Sequence, residues 1–280
     1  MARLETLVTD IEKVLTSPRT VARLSLEAFG NDVGAVIGRS LEEDGSSHGL
    51  RMSNLGTPCV RALQYRRNPN VKGEEFPPNI RLKFMFGHVI EALILLLARE
   101  AGHEVVGEQT PLDIDGVPGH RDAIIDGVLV DVKSASTRAF SKFSNGLSVA
   151  DDAFGYLVQL GAYHFASRTD PLLRDLDRAA FLVVDKQFGH ICLDIHTIDK
   201  DVDYVSLVRD RRRRSEPTAP LAPRAFFDEP DGASGNRKLG TSCSYCSFKY
   251  ECWPGLQTYL YSSGPRFLTR VLREPKVDKA

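Results

Sequence analysis

Apolar residues recur along the 280-residue chain with two different periods, and the switch between them divides the sequence. Residues 1–45 carry helical spacing. Ser17-Pro18 offers a helix start there, with serine as N-cap and proline at the first helical position, where its missing N–H is not needed. Residues 45–49 (Gly-Ser-Ser-His-Gly) form a linker, and 58–67 a short helix with Cys59 at its beginning. Residues 79–101 make a long buried helix that stops at Gly102. Beyond it the period falls to two. Residues 103–114 are extended, and 119–125 and 128–134 are strands on either side of Asp126-Gly127, a dipeptide suited to a two-residue hairpin turn. An amphipathic helix over 151–168 follows, then strands over 179–185 and 190–198 about a turn at Gly189, a helix over 201–214, and a loop over 215–237. This order predicts an α/β core with helical additions at its N-terminal end.

The hairpin carries the clearest chemistry. With Asp126-Gly127 as the turn, Asp122 falls opposite Asp131, and alternation puts Lys133 on the same face as Asp131. The other face is Ala123, Ile125, Val128, Val130 and Val132, all apolar and fit for a core. Like charges opposite one another destabilise a sheet unless something compensates, and a divalent cation such as Mg²⁺ or Mn²⁺, which prefers oxygen ligands, does so. The backbone carbonyl of Val132 is a further candidate oxygen. Such a cation activates a bound water and polarises a phosphoryl oxygen, while the lysine orients or deprotonates that water. A solvated surface hairpin with a salt-bridging lysine is the plainer alternative. Glu91 adds a third carboxylate inside an otherwise apolar helix, where it needs a partner or a metal. His88 stands one turn before it as a possible extra ligand.

Composition changes this picture little. Hydrophobic residues make up 42% of the chain and charged residues 26%, as in ordinary globular proteins. The length suits one large domain or two small ones, with a core that needs no disulfides. A formal net charge of −1 provides no global basic field, so a polyanion requires a local patch. Arg209 and Arg211 to Arg214 form one basic run. Ser134, Ser136, Arg138 and Lys142 in the loop after Lys133 are candidate phosphate contacts, and Phe140, Phe143 and Tyr156 are either base-stacking or core residues. The first residues lack the apolar run of a secretory signal. The longest apolar stretch, 89–98, contains Glu91 and is shorter than the about 20 residues that a membrane span needs. A soluble, cytoplasmic protein without a membrane partner is expected. There is no phosphate-binding Gly-rich loop of the NTPase kind, so any helicase is a separate partner.

Five cysteines remain. Cys192 reads as an ordinary strand residue, whereas Cys243-x2-Cys246-x5-Cys252 is a cluster to which Cys59 adds a fourth thiol. Four soft thiolates suit either an iron–sulfur cluster or Zn²⁺.

Taken together these residues resemble the PD-(D/E)xK nuclease superfamily in its RecB-like exonuclease branch. The resemblance runs over roughly residues 55–255. It rests on Gly87 with Glu91 four residues on, Gly119 with Asp122, Asp131-Val-Lys133, and Gln159 with Tyr163 in a Gln-x-x-x-Tyr helix. Glu91 stands where many RecB-like members have histidine and related phage-type exonucleases have glutamate. The resemblance implies a restriction-endonuclease-like core: a mixed central sheet flanked by helices, with an N-terminal helical extension (1–50), a nuclease domain (51–260) closed by the cysteine cluster, and a tail (261–280). It places Glu91, Asp122, Asp131 and the Val132 carbonyl on Mg²⁺ or Mn²⁺, Lys133 beside the water, and Gln159 and Tyr163 where they position nucleic acid. One cysteine before the core and three after it resemble the cluster-bearing RecB-like nucleases, including CRISPR-associated adaptation nucleases. That layout implies a 4Fe–4S cluster on Cys59, Cys243, Cys246 and Cys252.

The implied activity is hydrolysis of phosphodiester bonds from DNA ends, on a single strand or the end of a duplex. It would serve phage-type recombination, replication or degradation in a host cytoplasm. A separate helicase or recombination protein is a possible partner, and ring-forming oligomers occur in related nucleases. Two other readings stay open: a nuclease-fold subunit with weak activity outside a larger complex, and a zinc-bound nucleic-acid adaptor with an incidental acidic hairpin.

Overall fold

Leu7, Ile11 and Val14 recur one helical turn apart and are all buried, which makes α1 (Leu7–Thr16) an amphipathic core helix. The computed structural model to which it belongs describes residues 3–42 and 49–280. Ser17-Pro18, expected to open a helix, instead closes α1. Ser17 is extended (φ −114°, ψ 127°), as the residue before a proline prefers to be. The next helix, α2 (Arg23–Glu42), buries none of its residues. The expected linker lies mostly outside the described residues. After it come α3 (Val60–Arg67), with Cys59 as N-cap, and α4 (Pro78–Glu100), which ends ahead of Gly102 at φ +88°. The expectation of a buried helix holds only for the second half of α4. Ile94, Leu95, Leu96 and Ala98 are buried there, while Leu82, Phe84 and Phe86 are exposed.

The strands that follow are β1 (Val105–Val106), β2 (Pro111–Ile114), β3 (Val117–His120), β4 (Ala123–Ile125) and β5 (Val128–Ala135). Then come α5 (Thr137–Ser144), α6 (Tyr156–Ser167), β6 (Arg178–Asp185), β7 (Ile191–Thr197) and α7 (Tyr204–Arg214). The central sheet runs β1-β4-β5-β6-β7. It is mixed, with β5 and β6 parallel and the other pairs antiparallel. β2 and β3 pair separately. The architecture is thus mixed α/β, with helices flanking a mixed central sheet.

The hairpin turn and register are as the sequence predicts, with Ile125 opposite Val128 and Ala123 opposite Val130. The single strand expected over 119–125 is broken into β3 and β4, however, and the one extended run expected over 103–114 is divided between two sheets as β1 and β2. The cause is Arg121, which is 1% exposed. Its guanidinium donates to Gly107 O (2.9 Å), Ser167 Oγ (3.3 Å), Thr110 Oγ1 (3.3 Å) and Asp170 Oδ2 (2.5 Å). A buried guanidinium must find acceptors for its donors, and reaching these interrupts the strand.

One face of the sheet presents Ala123, Ile125, Val128, Val130 and Val132 to Leu4, Leu7, Ile11, Ile94, Leu95 and Ala98. α1 is therefore part of the core and more than an extension of it. The opposite face buries Ile124, Leu129 and Phe181 and is covered by α5 and α6. The sequence predicts a loop after Lys133, whereas the structure forms α5 there. Ser136 caps it by accepting from Ala139 N (3.4 Å), and Phe143 packs edge-on against Phe181 with ring centroids 5.2 Å apart. α6 begins later than the expected 151. Asp152 accepts from the backbone N–H groups of Gly155, Tyr156 and Leu157 (2.8, 2.9 and 2.8 Å) and so satisfies donors at the helix start.

The chain divides into two units. The first comprises the described residues up to 42 together with 51–56 and 77–208; the second comprises 49–50, 57–76 and 209–280, so the boundary falls within α7. The second unit contains β8 (Asp228–Pro230), β9 (Arg237–Leu239), α8 (Thr241–Ser244), α9 (Lys249–Cys252), β10 (Gln257–Tyr261) and β11 (Gly264–Arg270). Its sheet has the order β10-β11-β9-β8. The predicted 215–237 loop thus contributes strand residues, and the predicted tail supplies β11. β8 and β9, of three residues each, leave too short an alternation to be recognised in sequence. Gln64 of α3 fastens this unit internally, donating to Pro220 O (3.0 Å) and accepting from Ala222 N (2.8 Å). Among the described residues no helix is long and apolar enough to cross a membrane.

Candidate active site

β4 stops at Ala123, one residue short of Asp122, while β5 continues through Ala135. The ladder register would place Asp122 opposite Asp131. Instead the Asp122 carboxylate takes over as a backbone partner, its Oδ2 accepting from Val132 N at 2.7 Å. N–H and C=O of one residue in an extended strand point to the same edge, so the Val132 carbonyl is directed to the Asp122 side, beyond the end of β4.

Asp131 is 1% exposed, which excludes the reading of a solvated surface hairpin. Its Oδ1 accepts from Gln159 Nε2 at 3.2 Å. Its Oδ2 lies 2.5 Å from Lys133 Nζ, a short charge-assisted pair. Lys133 also stands over the ring of Tyr156, with Nζ 5.1 Å from the centroid. That ring is held by Phe143 at 6.0 Å, so the structure uses Phe143 and Tyr156 for packing and for supporting Lys133.

Gln159 and Tyr163 lie one turn apart on α6, and both are buried. Burial pushes the Tyr163 phenol above its ordinary value, and the carboxylates of Asp131 and Asp122 add to that push. Glu91 projects from α4, which packs on the face of the sheet opposite α6. Its Oε1 accepts from Gln109 Nε2 at 2.6 Å. Nothing in the sequence pattern singles out Gln109, which is exposed and sits between β1 and β2.

The electrostatics describe a site strained by its own charges. Burial raises the Glu91 carboxyl to about 7, with Asp131 raising it further against the hydrogen bond from Gln109. Asp122 is pushed well above the usual carboxylate range by burial, then by Asp131 and Glu91. Burial alone would depress Lys133, but Asp131 and Asp122 overcome it and hold the ammonium charged. Two carboxyls whose ionised forms are disfavoured, Glu91 and Asp122, together with the Asp131 carboxylate and the Val132 carbonyl, make up an oxygen donor set chemically suited to a hard divalent cation. Among the described residues no three His, Cys, Asp or Glu side chains stand already gathered as a metal-binding group.

The sign for stability follows directly. A buried carboxyl with its folded pKa raised to about 7 binds its proton more tightly folded than unfolded. Its stabilising contribution is therefore present at low pH and is lost as pH rises through that value. The cation-free protein is expected to melt at a higher temperature at pH 6 than at pH 8. Glu91→Gln should flatten this part of the profile, and identical profiles in the two proteins would remove Glu91 as its cause.

All four clustered cysteines belong to the second unit. Burial raises the Cys243 thiol to about 11, and the charges of Cys246, Cys252 and Cys59 raise it further, so the four lie within electrostatic range of one another without being gathered as a ligand group. Arg61 Nη1 lies 3.8 Å from Cys252 Sγ, and Arg224 donates to the Cys252 carbonyl while stacking on Trp253 at 4.0 Å. The set is chemically suited to a soft metal or a cluster. Cys192 is an ordinary residue of β7.

The remaining candidates are mostly engaged. Ser136 caps α5, Lys142 donates to Asp151 O (2.8 Å), and Arg213 and Arg214 pair with Asp210. His88 is exposed on α4, one turn before Glu91.

No protein-family model matches the chain, and no curated protein sequence matches it. Among solved structures, the crystal structure of SSO0001 is similar at 13% identity, with 82% of this chain and 96% of that one covered at a TM-score of 0.43. A likeness at that level says nothing about function.

Proposed function

We propose that the chain is a metal-dependent DNA exonuclease whose first unit is a RecB-like, restriction-endonuclease-like core of the PD-(D/E)xK kind. One observation carries the reading: Glu91 of α4 shares a buried setting with the hairpin residues Asp122, Asp131 and Lys133, in which Asp131 shifts the ionisation of the other three. Burying three carboxyl groups together is costly without a compensating cation, and the donors present are those that Mg²⁺ or Mn²⁺ takes.

In this mechanism Glu91, Asp122 and Asp131 hold the cation, with the Val132 carbonyl as a further oxygen. The bound ion supplies a water of lowered pKa and a polarised phosphoryl oxygen. Lys133, kept charged by Asp131 and Asp122, orients that water and offsets charge developing on the phosphate. Gln159 keeps Asp131 in place through Oδ1. DNA, as a single strand or a duplex end, is the substrate. Cys59, Cys243, Cys246 and Cys252 hold a 4Fe–4S cluster in the second unit, with Zn²⁺ as the alternative occupant.

The test is to incubate the anaerobically purified protein with end-labelled single-stranded DNA and Mn²⁺, beside Lys133→Ala. Wild type should degrade the DNA, and the variant should be slower by about a hundredfold to a thousandfold. Intact DNA in both, or equal cleavage by both, would overturn the assignment in favour of a DNA-binding subunit of a larger complex. Iron and acid-labile sulfide in the same preparation distinguish the cluster from zinc.

A further inference from the structure

Residues 107–110 connect β1 to β2 and pass beside the carboxylates. Gln109 holds φ +48° there, in the left-handed region that side chains other than glycine and asparagine seldom adopt. Two positions earlier, Gly107 meets a similar demand at φ +63° in the ordinary way. Glycine at 109 would relieve the backbone, so the glutamine is explained by what its side chain does.

Its contacts reach two of the three carboxylate residues. The side-chain amide donates to Glu91 Oε1 at 2.6 Å, and the backbone N–H donates to Asp122 O at 3.3 Å. The loop is itself held in place. Thr110 Oγ1 donates to Gly107 O (2.8 Å), Arg121 N donates to Thr110 O (3.2 Å), and the Arg121 guanidinium grips Gly107 O. Glu108 is paired with Arg99 of α4, the helix that carries Glu91. Gln109 is therefore a short, braced link between the Glu91 carboxylate, whose Oε1 its amide occupies, and the Asp122 peptide.

The distance and angle between two ligands matter most for a small cation. Mg²⁺ requires near-ideal octahedral geometry at about 2.0–2.1 Å, whereas Ca²⁺ accepts longer and more variable arrangements. Partners that orient a ligand carboxylate are worth about 10–100-fold in cation affinity. We infer that Gln109 is a positioning residue that sets the Glu91–Asp122 geometry and so gives the site its preference for Mg²⁺ over Ca²⁺. This rests on the divalent-cation site proposed above.

Gln109→Gly is the discriminating variant, because it keeps the left-handed backbone and removes only the amide. Binding of Mg²⁺ and of Ca²⁺ is measured by titration calorimetry without DNA, together with the melting temperature of the cation-free protein. The variant should melt no lower than wild type, lose about tenfold or more in Mg²⁺ affinity, and change much less toward Ca²⁺. Unchanged Mg²⁺ binding would overturn the inference, as would an equal loss for both cations. If wild type binds Mg²⁺ but leaves DNA intact, the nuclease reading fails and the role of Gln109 is still decided by the calorimetry. If wild type binds neither cation, both fall.

Discussion

Asp122→Asn is expected to raise the melting temperature of the cation-free protein at pH 8 while cutting cleavage by on the order of a thousandfold. The two effects share one cause. Burial, then Asp131 and Glu91, push the Asp122 carboxyl well above the ordinary range. At pH 8 the fold must therefore either keep a proton on it or accommodate a desolvated charge beside two others, and both oppose folding. An asparagine retains an oxygen to accept from Val132 N, the bond that Asp122 Oδ2 makes at 2.7 Å. It removes the charge and nothing else of structural consequence. The same charge is what a divalent cation requires, so activity is lost with it. Melting curves and end-labelled DNA assays on one preparation check both halves. A variant that melts lower than wild type would show that Asp122 is a stabilising structural residue and would undercut the site.

Gly155→Ala is expected to destabilise the first unit by about 3 kcal/mol or more. Gly155 has φ +79°, and a Cβ there would overlap the carbonyl oxygen of Gly56, with the Gly56 carbon atoms close behind. Both opposing groups are backbone, so no side chain can swing away to make room. At about 2–4 °C per kcal/mol, the melting temperature should fall by roughly 6–12 °C. The consequence extends to the site, because Gly155 is where the Asp152 carboxylate begins α6, and α6 carries Tyr156, Gln159 and Tyr163. Calorimetric melting tests it, and a shift of a degree or two would mean that the Gly56–Gly155 approach is looser than the geometry implies.

Local chemistry made much of the first unit legible. Asp-Gly between two apolar runs determined the turn, and the turn determined the register, because alternation allows the core residues Ala123, Ile125, Val128, Val130 and Val132 only one face. Asp131 and Lys133 then had to share the other. Gly102 and Gly189 marked real boundaries because a left-handed residue is a local requirement. Ser17-Pro18 misled because the same dipeptide serves a helix end as well as a start, and only the chain around it selects which.

Beyond that, the deciding interactions join residues far apart in sequence. The break at Arg121 depends on acceptors at 107, 110, 167 and 170, which no local period records. The arrangement around Glu91 depends on a glutamine held at an unfavourable φ, and the four cysteines come within electrostatic range of one another only through folding of residues 57–76 with 209–280. The sequence by itself determined which groups were present and which strand face bore them, since pleat and turn are properties of neighbouring residues. Tertiary structure alone decided that Glu91, Gln109 and Gln159 meet Asp122, Asp131 and Lys133. That meeting is governed by buried hydrogen bonds and shared desolvation, which exist only once the chain has packed.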